Sequence, residues 1–285
     1  MSVPGDPAPG ALQGDRVSVA GLMALRLARD GGLPLALARR SGSTATRGAG
    51  QGHLIRDLRP FADGDDPRHI DAAASARTGQ LQRRAFHEDR EASLLLIADF
   101  RRPMLWGSGR RLRSVAAADH LMRLAWTAIE AGGTVGLVSV DGQGWRLTRP
   151  RGRAAGIRAV ARALAEAHEV ALRDRASRPL DLALVELLPH LPRGATLALA
   201  SGLDDPGTRL PGALMALTRR GPLHLLLVED AIERAAPSRA MPVHDASGRG
   251  QLVDLAPLAA ARAARAAVLR QPGLQIRPVP VDGEG

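Results

Sequence analysis

Apolar and polar positions along this chain come in blocks. Ala92 to Phe100 (ASLLLIADF), Thr134 to Val140 (TVGLVSV), Ala195 to Ser201 (ATLALAS) and Leu223 to Glu229 (LHLLLVE) are short, nearly continuous apolar runs. Runs of that length predict strands buried on both faces, as in a parallel sheet. Between and after them lie stretches with helical periodicity: Arg113 to Ala131, 153–169, Leu180 to His190, Leu210 to Arg220 and Leu255 to Arg270. Strands alternating with helices predict βαβ units and a doubly wound, mostly parallel α/β sheet. In such sheets ligands sit at the carboxyl ends of the strands. The run at 92–100 brings Asp99 to that end.

The pattern ahead of this block is weaker. Val17 to Arg29 places Leu22, Leu25 and Leu27 at helical spacing. Leu54 to Leu58 and Leu81 to His87 predict short strands, and Leu274 to Val279 an edge strand. The helix and the two strands before residue 92 form an N-terminal helical and strand extension over 17–91. Residues 1–16 and 271–285 are Pro- and Gly-rich tails, the first expected to be disordered, and 40–53 reads as a basic loop.

One polar stretch stands apart. Arg59 to Thr78 (RPFADGDDPRHIDAAASART) holds Arg59, Arg68 and Arg77 with Asp63, Asp65, Asp66 and Asp71, followed by Ser75. It is too ionic for core. Gly64 marks a turn at positive φ. Two readings are open. The arginines and aspartates dock a partner, or they form an internal network that pins the segment down.

The chain has 285 residues, a net charge of +10 and no Lys, so its 39 basic residues are all Arg. Such an excess suits an anionic partner, and a basic nucleic-acid-binding protein is the alternative function it raises. Arginines spread along the chain, with aromatics at only 2%, weaken a base-stacking surface. Arg151, Arg153, Arg158 and Arg162 sit partly at helical spacing and read as a solvated face. With no Cys, disulfides, thiolate metal sites and cysteine nucleophiles are excluded. The N-terminus lacks the basic and apolar regions of a signal peptide, and no apolar run reaches the ~18 residues that span a bilayer. A soluble, cytoplasmic protein is expected.

No catalytic constellation emerges. Gly48 to His53 (GAGQGH) lacks the strand and Lys-Ser/Thr of a phosphate loop, and neither a His-Glu-x-x-His helix nor a Gly-x-Ser-x-Gly elbow occurs. Asp119 and His120 adjoin on a helix, where neighbours do not face each other, and read as a surface pair. Trp106, Trp126 and Trp145 read as packing anchors.

The residues Arg59-x-Phe61-x-x-Gly64-Asp65-Asp66-x-Arg68-x-Ile70-Asp71, then Ser75-Ala76-Arg77-Thr78, resemble the signature of the bacterial domain of unknown function 58 family. The resemblance extends over most of 17–220. It implies a von Willebrand factor A-like (vWA-like) domain, here 92–270, and partnership with MoxR-type AAA+ ATPases. It also implies a metal-ion-dependent adhesion site, beginning Asp-x-Ser-x-Ser at the end of the first strand. Here that segment reads Asp99-Phe100-Arg101-Arg102-Pro103, and the later Ser-Asp reads Ser201-Gly202. Ala72 replaces an expected Trp and Phe61 a usual Tyr. Two hydroxyls and a carboxylate are gone, which a Mg²⁺ site requires. The expectation is a degenerate metal loop of Asp99, Arg101 and Ser201, with Arg101 supplying the positive charge. No metal or cofactor is expected. The function implied is a non-enzymatic protein-interaction module, with other proteins meeting it at the strand ends.

Overall fold

The computed structural model describes residues 14–27, 55–62, 65–86, 92–234, 240–244, 250–253, 265 and 274–282, with no side-chain description for 55–57, 59, 84–86, 241–244 and 251. The expected loop at 40–53 lies outside these residues. So does the helix expected at 255–270, apart from the helical Arg265. In chain order the helices are α1 (Val19–Ala24), α2 (Ala72–Thr78), α3 (Arg113–Glu130), α4 (Arg153–Arg173), α5 (Leu180–Leu187), α6 (Leu210–Thr218) and α7 (Ala231–Arg234). The strands are β1 (Ile55–Pro60), β2 (Gln82–Phe86), β3 (Ser93–Asp99), β4 (Thr134–Val140), β5 (Trp145–Gly152), β6 (Thr196–Ser201), β7 (Leu223–Glu229), β8 (Met241–His244), β9 (Gly250–Val253) and β10 (Leu274–Pro280).

Two compact units divide the chain, 39–91 and the remainder. The larger is built on a six-stranded sheet of order β10-β7-β6-β3-β4-β5. All neighbours are parallel except β4 and β5. Every residue of β6 and β7 is buried, which is why these segments read as nearly continuous apolar runs. One sheet face carries Leu94, Leu96, Val135 and Leu137 against Leu22 of α1, Leu121 of α3 and Val160 of α4. The other carries Leu95, Ile97, Leu197 and Leu225 against Leu184 of α5 and Leu214 of α6. The mixed α/β expectation thus holds, with helices on both faces. Among the described residues no helix is long and apolar enough to cross a membrane.

Strand β5 has no counterpart in the sequence reading. It enters through a tight hairpin in which Asp141 Oδ1 accepts from the amides of Gln143 and Gly144, each at 3.0 Å. Its register against β4 slips between Val135 and Leu137, so three β5 steps face two β4 steps, a β-bulge. Polar residues at alternating, half-exposed positions hide such an edge strand from an apolar-run criterion.

In the smaller unit, β1 and β2 pair antiparallel and α2 lies between them in sequence. Helix α2, too short for a periodicity signal, is set by its ends. Asp71 Oδ1 accepts from Ala74 N–H at 2.9 Å as N-cap, and Gly79, at φ 70°, donates its N–H to the Ser75 carbonyl as C-cap.

Candidate functional site

In the ionic corner Asp65, Asp66 and Asp71 are committed to local hydrogen bonds. Asp65 Oδ2 accepts from Ala62 N–H at 3.0 Å, and its other oxygen pairs with Arg83 on β2. Asp66 caps the short 3₁₀ turn Pro67–His69 by accepting from Arg68 N–H at 2.9 Å. Ser75 Oγ donates to the Asp71 carbonyl at 2.7 Å and accepts from Gln82 N–H at 2.8 Å, which ties α2 to β2. These are local caps and cross-links, the internal network of the two readings. The side chains of Arg68 and Arg77 are exposed and make no hydrogen bond or ion pair among the described residues. Gly64 lies outside the described residues, and only the backbone of Arg59, in β1, lies within them.

At the carboxyl end of the larger sheet, β3 turns from Asp99 into Arg101. The chain leaves β3 for β4 on one side, whereas β6 lies on the other, so the crevice between β3 and β6 is where such sheets admit ligands. Arg101 fills it. Its Nε and Nη2 donate to the two oxygens of Asp99, each at 2.9 Å. Nη1 donates to the carbonyls of Arg178 at 2.9 Å and Asp205 at 3.0 Å, and Nη2 also to that of Asp204 at 2.9 Å. All five guanidinium N–H donors are thereby used. The side chain is 1% exposed. Ser201 Oγ, at the end of β6, donates to Asp99 Oδ2 at 2.6 Å and accepts from Leu203 N–H. Leu203 and Asp205 adopt φ of 56° and 42°. A left-handed non-glycine residue costs about 1–2 kcal/mol. The loop that supplies the Asp204 and Asp205 carbonyls is held in this strained form.

This arrangement settles what Asp99, Arg101 and Ser201 do together. Both Asp99 oxygens are engaged, and a cation already faces them. Such a donor set does not fit Mg²⁺, which wants several hard oxygens at once. Among the described residues no group of three or more His, Asp or Glu side chains is arranged to hold a metal. Arg101 also has no donor left for an incoming carboxylate, so the docking of partner acids directly on it is excluded.

A second arginine layer backs the first. Arg113, at the start of α3, is fully buried. It donates to Asp204 Oδ2 at 2.8 Å and to the Val228 carbonyl at 2.9 Å, lies 3.5 Å from Glu233, and stacks on Trp106 at 5.2 Å. Arg265 donates to the Gly202 carbonyl at 2.7 Å and to Glu233 at 2.8 Å. Burial pushes the Asp204 carboxyl above its ordinary value, against the pull of Arg113 and Arg265. Ser108 N–H closes the rim by donating to Asp230 at 2.9 Å. None of Arg113, Asp204, Glu233 or Arg265 was a sequence candidate. Arg113 did carry a signal: a cation in the first turn of an 18-residue helix with no acid beside it opposes the helix dipole and needs a buried partner.

Residues 57–266 match a family model described as protein of unknown function DUF58. The chain belongs to the DUF58 family. Comparison with curated proteins gave no match. The DUF58 span runs from β1 to just past Arg265, so it contains both the corner and the whole arginine network.

Elsewhere in this DUF58 chain, buried polar pairs are structural. His168 Nε2 lies 2.9 Å from Ser114 Oγ, both wholly buried, with the His168 ring edge-on to Phe100. Asp119, read as a surface residue, is instead buried between Arg111 and Arg123, and its neighbour His120 is half-buried. Trp126 packs on the α1/α3 side of the core and Trp145 on the opposite face, as anchors. Burial lowers both His168 and His120 to about 4. A histidine whose folded value lies below its unfolded value of about 6.5 binds its proton more readily when unfolded, so stability is complete above that value and is lost as pH falls towards 4. For His168 the expected loss between pH 7 and pH 5 is about 2 kcal/mol. Urea unfolding at the two pH values checks it, with His168→Gln expected to flatten the dependence.

Proposed function

We propose that this chain is a non-enzymatic, cytoplasmic protein-interaction module with a vWA-like fold, acting as an adaptor or assembly partner of a MoxR-type AAA+ ATPase. The observation that carries this reading is the saturated Arg101. It occupies the crevice where a doubly wound sheet admits ligands and leaves no open coordination there. A sheet with β3 central, helices on both faces and an antiparallel β5 at one edge supports the vWA-like assignment. The family signature at 59–78 supports the ATPase partnership, since it is that signature which implies it.

The docking role narrows within the corner. Asp65, Asp66, Asp71 and Ser75 are committed to caps and cross-links, whereas Arg68 and Arg77 project outward. The test is co-purification of the full chain with a MoxR-type ATPase without nucleotide, with ADP and with a non-hydrolysable ATP analogue. Binding in at least one state is expected, weakened by Arg68→Glu with Arg77→Glu. Absence of binding in all three states sinks the proposal.

A further inference from the structure

The exposed arginines are unevenly neutralised. Arg16, Arg146, Arg173 and Arg178 each reach an acidic side chain. Arg149 and Arg151 on β5, with Arg158 and Arg162 on α4, reach none: all four are exposed and make no hydrogen bond or ion pair among the described residues. Arg149, Arg151 and Arg162 border an open groove of about 470 Å³ between β5 and α4, whose floor includes Ala159 and Ala163. Among the described residues Glu166 is the only acid on its lining. Like charges gathered along a groove repel one another and raise the local concentration of anions.

We propose that this groove docks an acidic segment of a partner polypeptide, its carboxylates meeting Arg149, Arg151 and Arg162. Three observations favour that occupant. Guanidinium forks match carboxylates bidentately. Ala159 and Ala163, one turn apart on α4, let a partner backbone approach closely while the arginines flank it. Among the described residues no aromatic side chain lines the groove, so successive bases of a nucleic acid would find no stacking platform there. The partner crosses the groove rather than adding a strand to β5. Pro150 lacks a donor and the bulge breaks the edge ladder, devices that keep strands from pairing there. This surface is distinct from Arg68 and Arg77 and stands or falls apart from the ATPase partnership.

The test is fluorescence anisotropy of the full chain with a labelled Glu-Ala-Ala-Glu repeat peptide at ~50 mM salt, where exposed charges are weakly screened. A single-stranded DNA of equal charge serves as the second probe. The expected result is saturable peptide binding that weakens roughly tenfold or more in Arg149→Glu with Arg162→Glu. Exposed positions tolerate these changes, and an unshifted melting temperature verifies folding. The neutral pair Arg149→Gln with Arg162→Gln is expected to fall between. Peptide affinity unchanged in the charge-reversed variant overturns the groove. DNA bound more tightly than peptide by the wild type, and lost in the same variant, overturns the polypeptide assignment. The ATPase co-purification is a separate readout, so its failure leaves the peptide result standing.

Discussion

Arg101→Ala is expected to destabilise the chain by roughly 3–5 kcal/mol, the cost of stripping one partner from a buried ion pair. The substitution deletes five hydrogen bonds at once. It leaves the wholly buried Asp99 carboxylate facing only Ser201 and the Arg101 backbone amide. It also leaves the Asp204 carbonyl without its guanidinium partner and loosens a loop already strained at Leu203 and Asp205. Arg101→Lys is expected to recover only part of the loss, because one ammonium cannot reproduce a fork aimed at two carboxylate oxygens and three carbonyls. Thermal or urea unfolding measures the effect, expected as a melting temperature lower by roughly 10 °C. The double variant Asp99→Ala with Arg101→Ala is expected to be no less stable than Arg101→Ala alone, since it removes the stranded charge. A single variant within about 1 kcal/mol of wild type would mean the pair is not the keystone of the strand ends.

Gly202→Ala is the second large effect, expected to cost about 3 kcal/mol or more although it adds one methyl group. A Cβ at this position would lie 1.5 Å from Arg113 Nη2. An arginine tip usually swings aside, but this one is buried and held by Asp204, the Val228 carbonyl and Glu233. Moving it leaves two acids short of their cation. The cost therefore comes from the network and not from the backbone, which separates it from an ordinary glycine effect. In an Arg113→Ala background, itself destabilised, Gly202→Ala is expected to add little. A cycle of the four proteins by urea unfolding reads this coupling directly.

The close approach of Arg113 to Gly202 also accounts for the residue type at this position. Where a vWA-like metal site has Ser-Asp, this chain has Ser201-Gly202, which reads as the loss of a ligand. Glycine here is also what lets Arg113 reach past β6 to Asp204. The compensating acid, Asp204, stands two residues further on and was legible only as an unremarked neighbour.

Much of the larger unit was visible in the chain because its strands are buried on both faces. The runs at 134–140 and 223–229 match β4 and β7 end to end. What escaped were the elements specified by something other than an apolar run. Strand β5 is polar and bulged, and α2 is a helix made by Asp71 and Gly79 at its ends. The signature acids resolve in the same terms: Asp65, Asp66 and Asp71 are turn and cap residues whose spacing is set by the local chain. Arg101 was legible as a cation beside Asp99 because it sits two residues away. Arg113, Glu233 and Arg265 were not, since the two arginines meet both Asp204 and Glu233 from positions far apart in the chain, and no local spacing marks such a meeting.

Arg101 saturates both Asp99 oxygens and the surrounding carbonyls, and leaves no open coordination for a metal ion at the strand ends. Thermal melting of the wild-type chain with and without sub-millimolar Mg²⁺ or Mn²⁺ tests it most directly. A ligand at a hundred times its dissociation constant stabilises by about 2.7 kcal/mol, readily seen as a shifted transition. The expected result is no shift with either metal. A stabilisation of several degrees, abolished by Asp99→Ala, would contradict the account.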